Sequence, residues 1–486
     1  MPRGDSAVTR RTLIGAAAAT GAGAATPAAF AGGASPRRAR KVDVVIVGAG
    51  LSGLVAARKL KRAGRSFVVL EASDRTGGRI LNLPTGPGRN QVTEAGGEWV
   101  ATRQHSILEL CDELGVSRFK TYNEGETTYF DGSAHRYSGP FPPVSPAAKA
   151  SLADALGELT AMAAEVPIEA PHEAPRAVEW DGQTVASWLA ANVSEPEARA
   201  LLEVAAGGPV GGTAQGMSLL HYLFIAAANG SPLELVTVDG GALEFRLNGG
   251  SGLLVKRVAK KVGAVNIMLG SPVHRITQRR GGVLVESAAG AFRAASVIVA
   301  TAPATAALID YDPPLGAARA QFFQRGAMGW LIKCFAVYPE PFWRSQGLNG
   351  MATSTVPPLD GIFDNSPANG SVGCLYGLIA GYNARIWSQR SLANRRKAVL
   401  GVFTACFGPQ AASPTRYLEH DWAQEPYIRG GAAMALPPSV LTQFPSVLRS
   451  PVGHIHWAST ETATYSYGDM DGAILAGERA ADEVLA

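Results

Sequence analysis

Between Asp43 and Arg79 the chain reads DVVIVGAGLSGLVAARKLKRAGRSFVVLEASDRTGGR, and no other stretch restricts the fold so severely. Val44 to Val47 is an apolar, β-branched run of strand length. Gly48, Gly50 and Gly53 spell G-x-G-x-x-G, and Leu51 to Ala63 carries helical apolar spacing. Strand, turn and helix therefore come in the order that a dinucleotide-binding unit requires. Gly48 permits the tight turn, Gly50 lets backbone N–H groups approach a pyrophosphate, Ser52 lies in the same first turn, and Gly53 allows close helix packing. A second strand, Ser66 to Leu70, ends at Glu71, about 20 residues beyond the turn, where a carboxylate accepts both ribose hydroxyls and disfavours a 2′-phosphate.

Arg75, Gly77, Gly78 and Arg79 follow at once: two arginines flank a flexible glycine pair, which places guanidinium groups beside the same pyrophosphate. This segment resembles the R-x-G-G-R that follows the Rossmann turn in flavin-dependent amine oxidases. The resemblance implies FAD as cofactor and an α/β fold. A Rossmann-type FAD-binding domain of the amine oxidase and p-hydroxybenzoate hydroxylase kind would be joined to a discontinuous α+β substrate domain. The expected division is 42–104, 235–306 and 420–486 for the first, and 105–234 and 307–419 for the second.

With 486 residues, 47% of them hydrophobic, the chain can bury a large core and is expected to form two domains. Its formal charge of +4 shrinks further if residues 1–31 are removed, because they hold Arg3, Arg10 and Arg11 against Asp5. That is no footprint for nucleic acid. Cys111, Cys334, Cys374 and Cys406 are widely spaced and form no C-x-x-C or Cys/His cluster. Neither a metal site nor a disulfide framework is indicated, and buried free thiols are expected.

Thr9-Arg10-Arg11-Thr12-Leu13-Ile14 is a twin-arginine pattern, followed by an Ala/Gly-rich, weakly apolar stretch to Phe30 and an A-x-A candidate at Ala29-Phe30-Ala31. Residues 1–31 are expected to be an export signal read by the twin-arginine machinery, with a disordered basic tail as the alternative. That route resembles those taken by proteins already folded, which suits a chain that acquires FAD in the cytoplasm. The product would be periplasmic or extracellular, with 32–41 as a linker. The glycines argue against a stable membrane span.

Farther along, Glu94-Ala95-Gly96-Gly97-Glu98-Trp99 resembles the family's glycine loop against the flavin. Helices are expected at Ser151 to Ala164, Glu195 to Ala206 and Met217 to Ala228, with no catalytic constellation among them. At Leu247 to Val262 a glycine loop precedes an amphipathic helix, and strands follow at Val265 to Met268, Val273 to Gln278, Val283 to Glu286 and Ser296 to Ala300. This layout resembles the middle of monoamine oxidases, in which the loop and the pair Pro272-Val273 would help hold the adenine end of FAD. A structural role for them is equally compatible.

Leu331-Ile332-Lys333-Cys334 puts a lysine inside an apolar strand, where an unpaired ammonium is costly to bury. The resemblance assigns Lys333 a water beside flavin N5; a lysine snorkelling at a strand edge is the alternative. Asp421-Trp422 and Tyr427-Ile428-Arg429-Gly430-Gly431 resemble the segment where a tryptophan and a glycine turn lie near the isoalloxazine. Glu461 is implied to contact the ribityl chain. The helix start at Met470-Asp471-Gly472-Ala473 is implied to point N–H groups at flavin O2, stabilising negative charge on the reduced ring. The resemblance covers Asp43 to Ala486, and the chain is expected to lack the C-terminal membrane helix of mitochondrial monoamine oxidases.

Two departures from the family pattern matter. Where monoamine oxidases carry a cysteine joined to the flavin by a thioether, Gly430-Gly431 is followed by Ala432 and Ala433, so FAD is expected to be non-covalent. The two tyrosines of the family's aromatic cage correspond to about Ala433 and Asp469. Tyr465 and Tyr467 are near enough in sequence to restore one wall, and Asp469 suggests a wider, more polar pocket. Its carboxylate would pair with a second cation on a diamine, accept a proton from the substrate, or cap the last helix.

The expected activity is FAD-dependent oxidation of an amine: hydride transfer from the amine-bearing carbon to flavin N5, hydrolysis of the imine, and reduction of O2 to H2O2. Lys333, Trp422 and Asp469 are the catalytic candidates. No base is needed if the amine binds unprotonated. Oxidation of amino acids or cyclic amines, or dehydrogenation of a C–C bond, is the alternative on the same fold. An amino-acid substrate would call for a pocket arginine, for which Arg325, Arg344 and Arg385 are candidates. A flavin-binding protein without turnover is a third reading, and a homodimer is compatible with each.

Overall fold

The computed structural model describes residues 39–88 and 91–486; the expected export signal lies outside them. A parallel five-stranded sheet runs in the order Ile267–Met268, Phe67–Leu70, Val44–Val47, Ser296–Val299, Ile455–Trp457. Val44–Val47 takes the middle, with Val44 opposite both Phe67 and Ser296. All four of its residues are buried, which is why it reads as an unbroken apolar run and not an alternating one. The helix Leu51–Arg62 connects Val44–Val47 to Phe67–Leu70 and packs along the last helix, Met470–Leu485. Two glycines allow that approach: a Cβ at Gly53 would collide with the Gly48 carbonyl oxygen, and one at Gly477 with the Ser52 carbonyl oxygen.

A second sheet has seven strands, in the order Arg416–Asp421, Leu331–Tyr338, Gly373–Ala380, Gly361–Asp364, Leu348–Ser354, Glu126–Phe130, Ala134–Tyr137. It draws on two separate stretches of chain, which makes the α+β part discontinuous. Leu331–Tyr338 is buried at every position, with Lys333 opposite Leu378 in one neighbour and His420 in the other. The lysine is therefore central and does not snorkel from a strand edge.

Helices occupy Pro146–Ala164, Pro196–Gly207 and Leu219–Ala228. Ser145 and Ser218 begin the first and third by accepting backbone N–H groups, from Ala148 and His221. Two expectations shift. Val265 sits in a 3-10 turn at 88% exposure, so that strand begins at Ile267. His105–Leu114, expected to open the substrate domain, instead buries Ile107, Leu110 and Leu114 in the core around Leu51–Arg62. Its apolar face decides its partner, and chain order does not. All four cysteines are buried and free; burial pushes the thiols of Cys111, Cys334 and Cys406 up to about 12. Among the described residues no His, Cys, Asp or Glu group could hold a metal, and no helix is long and apolar enough to cross a membrane.

Candidate active site

A cavity of about 510 Å3 touches both Gly48, in the turn after Val44–Val47, and Lys333, in the seven-stranded sheet. At the first end, Leu51–Arg62 starts at Gly50 with no side-chain cap and no acidic residue in its first turn, so its N–H groups are uncompensated. The Ser52 hydroxyl is buried there without a hydrogen-bond partner. A Cβ on Gly50 would meet nothing nearer than the Gly77 carbonyl oxygen at 4.0 Å, so the backbone is open to close approach. Glu71 lines the same end, its carboxylate fixed by N–H groups of Ala49 (2.6 Å) and Ser73 (2.8 Å) with lone pairs to spare. Uncompensated N–H groups, an orphaned hydroxyl and a fixed carboxylate fit the pyrophosphate and ribose of a dinucleotide. Gly78, Val273 and Ala473 also line the cavity.

Two expected contacts lie elsewhere. Arg75 does not line the cavity; its guanidinium donates to the carbonyls of Gly78 (3.0 Å) and Ile80 (3.3 Å), bracing the turn that Gly77 and Gly78 make at φ of +116° and +55°. Gly53 does not line the cavity either; it packs beneath the turn against the Gly48 carbonyl, the packing role its place in the motif implies. Glu461 is fully buried behind Arg79, which donates to both its oxygens (2.5 and 2.9 Å) and to the Ala432 carbonyl (2.8 Å). Arg79 faces the cavity, and Glu461 pairs with it from behind the wall.

The Glu94–Glu98 turn is held by a buried cluster of two cations and two anions. Lys333 Nζ donates to the carbonyls of Glu94 (3.1 Å) and Gly96 (2.9 Å) and to Glu98 Oε2 (3.0 Å). Arg246 pairs with Glu94 (2.7 Å) and Glu98 (3.1 Å). Lys333 Nζ thus has three protein acceptors around it, all on this turn. Burial pushes the Glu94 carboxyl above its ordinary range, against the pull of Arg246. Gly96, Gly97, Glu98 and Trp99 line the cavity, with Trp99 and Tyr376 presenting ring faces 5.5 and 4.4 Å from Nζ.

Trp422 is pinned by its indole N–H to the Ala95 carbonyl (2.7 Å) and forms another wall. Asp469 and Met470 line the cavity as well. Asp469 occupies the N-cap of the last helix yet makes no capping bond; Gln104 Nε2 donates to its Oδ2 at 2.7 Å. Neither tyrosine restores the cage. Tyr467 is wedged against His221 and Phe224 with its hydroxyl on the Met434 carbonyl, and Tyr465 donates to the Arg103 carbonyl. Arg325, Arg344 and Arg385 stay outside too, held respectively by Gln443, by Asp364 and over the Tyr382 ring, whereas Arg429 lines the cavity. Gln104, Arg246 and Tyr376 carried no signal in the sequence. Each comes from a segment distant from its partner, with no motif of its own.

Residues 51–485 match the family model described as flavin containing amine oxidoreductase. The flavin-containing monoamine oxidase homologue AofH of Mycobacterium tuberculosis is 36% identical over 446 residues, covering 92% of this chain and 97% of that protein. An L-amino acid dehydrogenase of Synechocystis is 34% identical over 461 residues, 91% of this chain and 94% of the other. A putrescine oxidase solved with putrescine bound superposes with a TM-score of 0.87 at 32% identity, over 92% of this chain and 99% of its own. With Ala432 at the thioether position, the FAD is non-covalent. The chain belongs to the flavin-containing amine oxidoreductases and is an FAD-dependent enzyme acting on amines.

Proposed function

We propose that the protein oxidises a small amine, with O2 as electron acceptor and H2O2 as product. The observation that carries this reading is one continuous cavity joining the Gly48 turn to Lys333, Trp422 and Asp469. Bound there, FAD supplies acceptance of a hydride from the amine-bearing carbon and return of the electrons to O2. The chain's own groups do the placing. Trp422 and Tyr376 offer aromatic faces, while Leu235 and Leu243 line the space with apolar surface that excludes water. Met470–Leu485 begins at the wall, so its N–H dipoles favour negative charge developing there. Lys333 keeps the Glu94–Glu98 turn, and with it Trp99, against the cavity. Purified yellow protein incubated with monoamines, diamines and amino acids should release H2O2 with amines. Peroxide from none of them, or from amino acids alone, refutes the reading.

Oxidation of amino acids is the second reading. Arg429 lines the cavity, and the Synechocystis relative is an L-amino acid dehydrogenase. On that reading Arg429→Met abolishes turnover of amino acids and leaves any amine turnover intact. Export is proposed from Arg10-Arg11 and Ala29-Phe30-Ala31. The protein should appear in the periplasmic or culture fraction, and replacing both arginines by lysine should retain it in the cytoplasm.

A further inference from the structure

We propose that Asp469 is the base of the reaction, receiving the substrate as an ammonium ion and taking its proton so that the amine is oxidised neutral. The proposal rests on the amine oxidase reading above and adds to it a proton acceptor at a named atom.

Asp469 lines the same cavity as Lys333 and Trp422. The next residue, Met470, packs on Gly97, where an added Cβ would lie 3.1 Å from the Met470 side chain, and Gly96 is the carbonyl that Lys333 holds. An aspartate at an N-cap ordinarily turns its carboxylate onto the first N–H groups of its own helix. This one does not. Gln104 Oε1 accepts the Ala101 N–H at 3.1 Å, which fixes the amide so that Nε2 donates to Asp469 Oδ2. Oδ1 has no hydrogen bond with any described residue, leaving it to what enters the cavity.

Among the described residues Arg103 is the cation that pulls on this carboxylate, without forming an ion pair or hydrogen bond with it. Arg103, one residue before Gln104, is paired with Glu234, and its carbonyl takes the Tyr465 hydroxyl. His105 follows Gln104 and pulls on Asp471, not on Asp469. Asp471, two residues on, is the near like charge and is satisfied by the Ile107 N–H (2.8 Å) and the Ser466 hydroxyl (3.2 Å). Burial, reinforced by Asp471, pushes the Asp469 carboxyl from 3.8 up to about 7. A cavity carboxylate in that state is met either by a proton or by a cation, and the ammonium of an incoming amine brings both.

The step balances. The N–H bond of R–CH2–NH3+ breaks, its electron pair stays on nitrogen, and the proton joins Asp469 Oδ1. Bound FAD would then accept the α-hydrogen of the neutral amine with its bonding pair, leaving the iminium R–CH=NH2+, and the two electrons would pass with that hydrogen and one proton from water to O2, giving H2O2. Asp469 returns its proton to water when the iminium leaves to be hydrolysed.

The test is kcat/KM against pH, followed by peroxide, for two oxidised amines of different pKa. In the wild type the acid limb should fall at the same pH, near neutrality, for both amines. In Asp469→Asn it should move up to each amine's own pKa, with kcat/KM at pH 7 lower by about 10²- to 10³-fold for an alkylamine of lysine-like pKa. Asp469→Glu should keep the limb near neutrality. A wild-type limb that tracks the amine overturns the proposal while leaving the amine oxidase reading intact, and this outcome needs no variant to fold. If no amine is oxidised at any pH, the reading and the proposal fall together.

Discussion

A lysine ammonium inside a sheet is tolerable only when each donor is met, and Lys333 has two carbonyls and the Glu98 carboxylate around it. Lys333→Met would leave two anions to Arg246 alone. Breaking a buried ion pair from one side costs about 3–5 kcal/mol, so the urea midpoint should drop accordingly. The flavin absorbance retained per protein should fall too, because the Glu94–Glu98 turn is released. Arginine should not rescue, since its planar fork cannot match three acceptors arranged around a point. Glu461 offers a parallel case. Glu461→Gln removes the charge that orients Arg79, and FAD affinity measured by fluorescence should weaken although Glu461 never reaches the cavity. Ala432 predicts the simplest result: acid precipitation should leave the yellow colour in the supernatant.

Among the elements, the closest approach that matters joins Leu51–Arg62 to Met470–Leu485, and each carries one end of the cavity wall. Gly477→Ala would press a methyl group onto the Ser52 backbone and should lower stability by about 1–3 kcal/mol, as overpacking does. Gly157 is the contrast. It is exposed within Pro146–Ala164, an added Cβ meets nothing within 4 Å, and Gly157→Ala should raise stability by about 0.4–1 kcal/mol without altering flavin content. Thermal denaturation of both variants checks the pair.

Across the whole molecule, the pH response combines groups of opposite sign. His221 is fully buried with Nδ1 accepting the Leu436 N–H, and burial pushes its imidazole down to about 3 from 6.5. Between those values the unfolded chain binds the proton and the folded one does not. Stability is therefore lost as pH falls from 6.5 toward 3, by on the order of 4 kcal/mol. Asp360 works the other way. Burial raises it to about 6, so the folded state holds a proton that the unfolded state releases, and its contribution is lost as pH rises from 3.8 to 6. Urea curves at several pH values should show His221→Asn gaining on the wild type as pH falls through 6.5, and Asp360→Asn gaining as pH rises through 4 to 6. The sequence by itself determined the nucleotide half, because Gly48, Gly50, Gly53 and Glu71 act through backbone geometry over one short continuous stretch. It also disclosed the missing thioether cysteine and the aspartate in place of a cage tyrosine. Only the tertiary structure decided what Arg75, Lys333, Glu461 and Asp469 touch. Three of those side chains meet partners hundreds of residues away, Lys333 on Glu98, Glu461 on Arg79 and Asp469 on Gln104, and long-range packing chooses which donors and charges face each other.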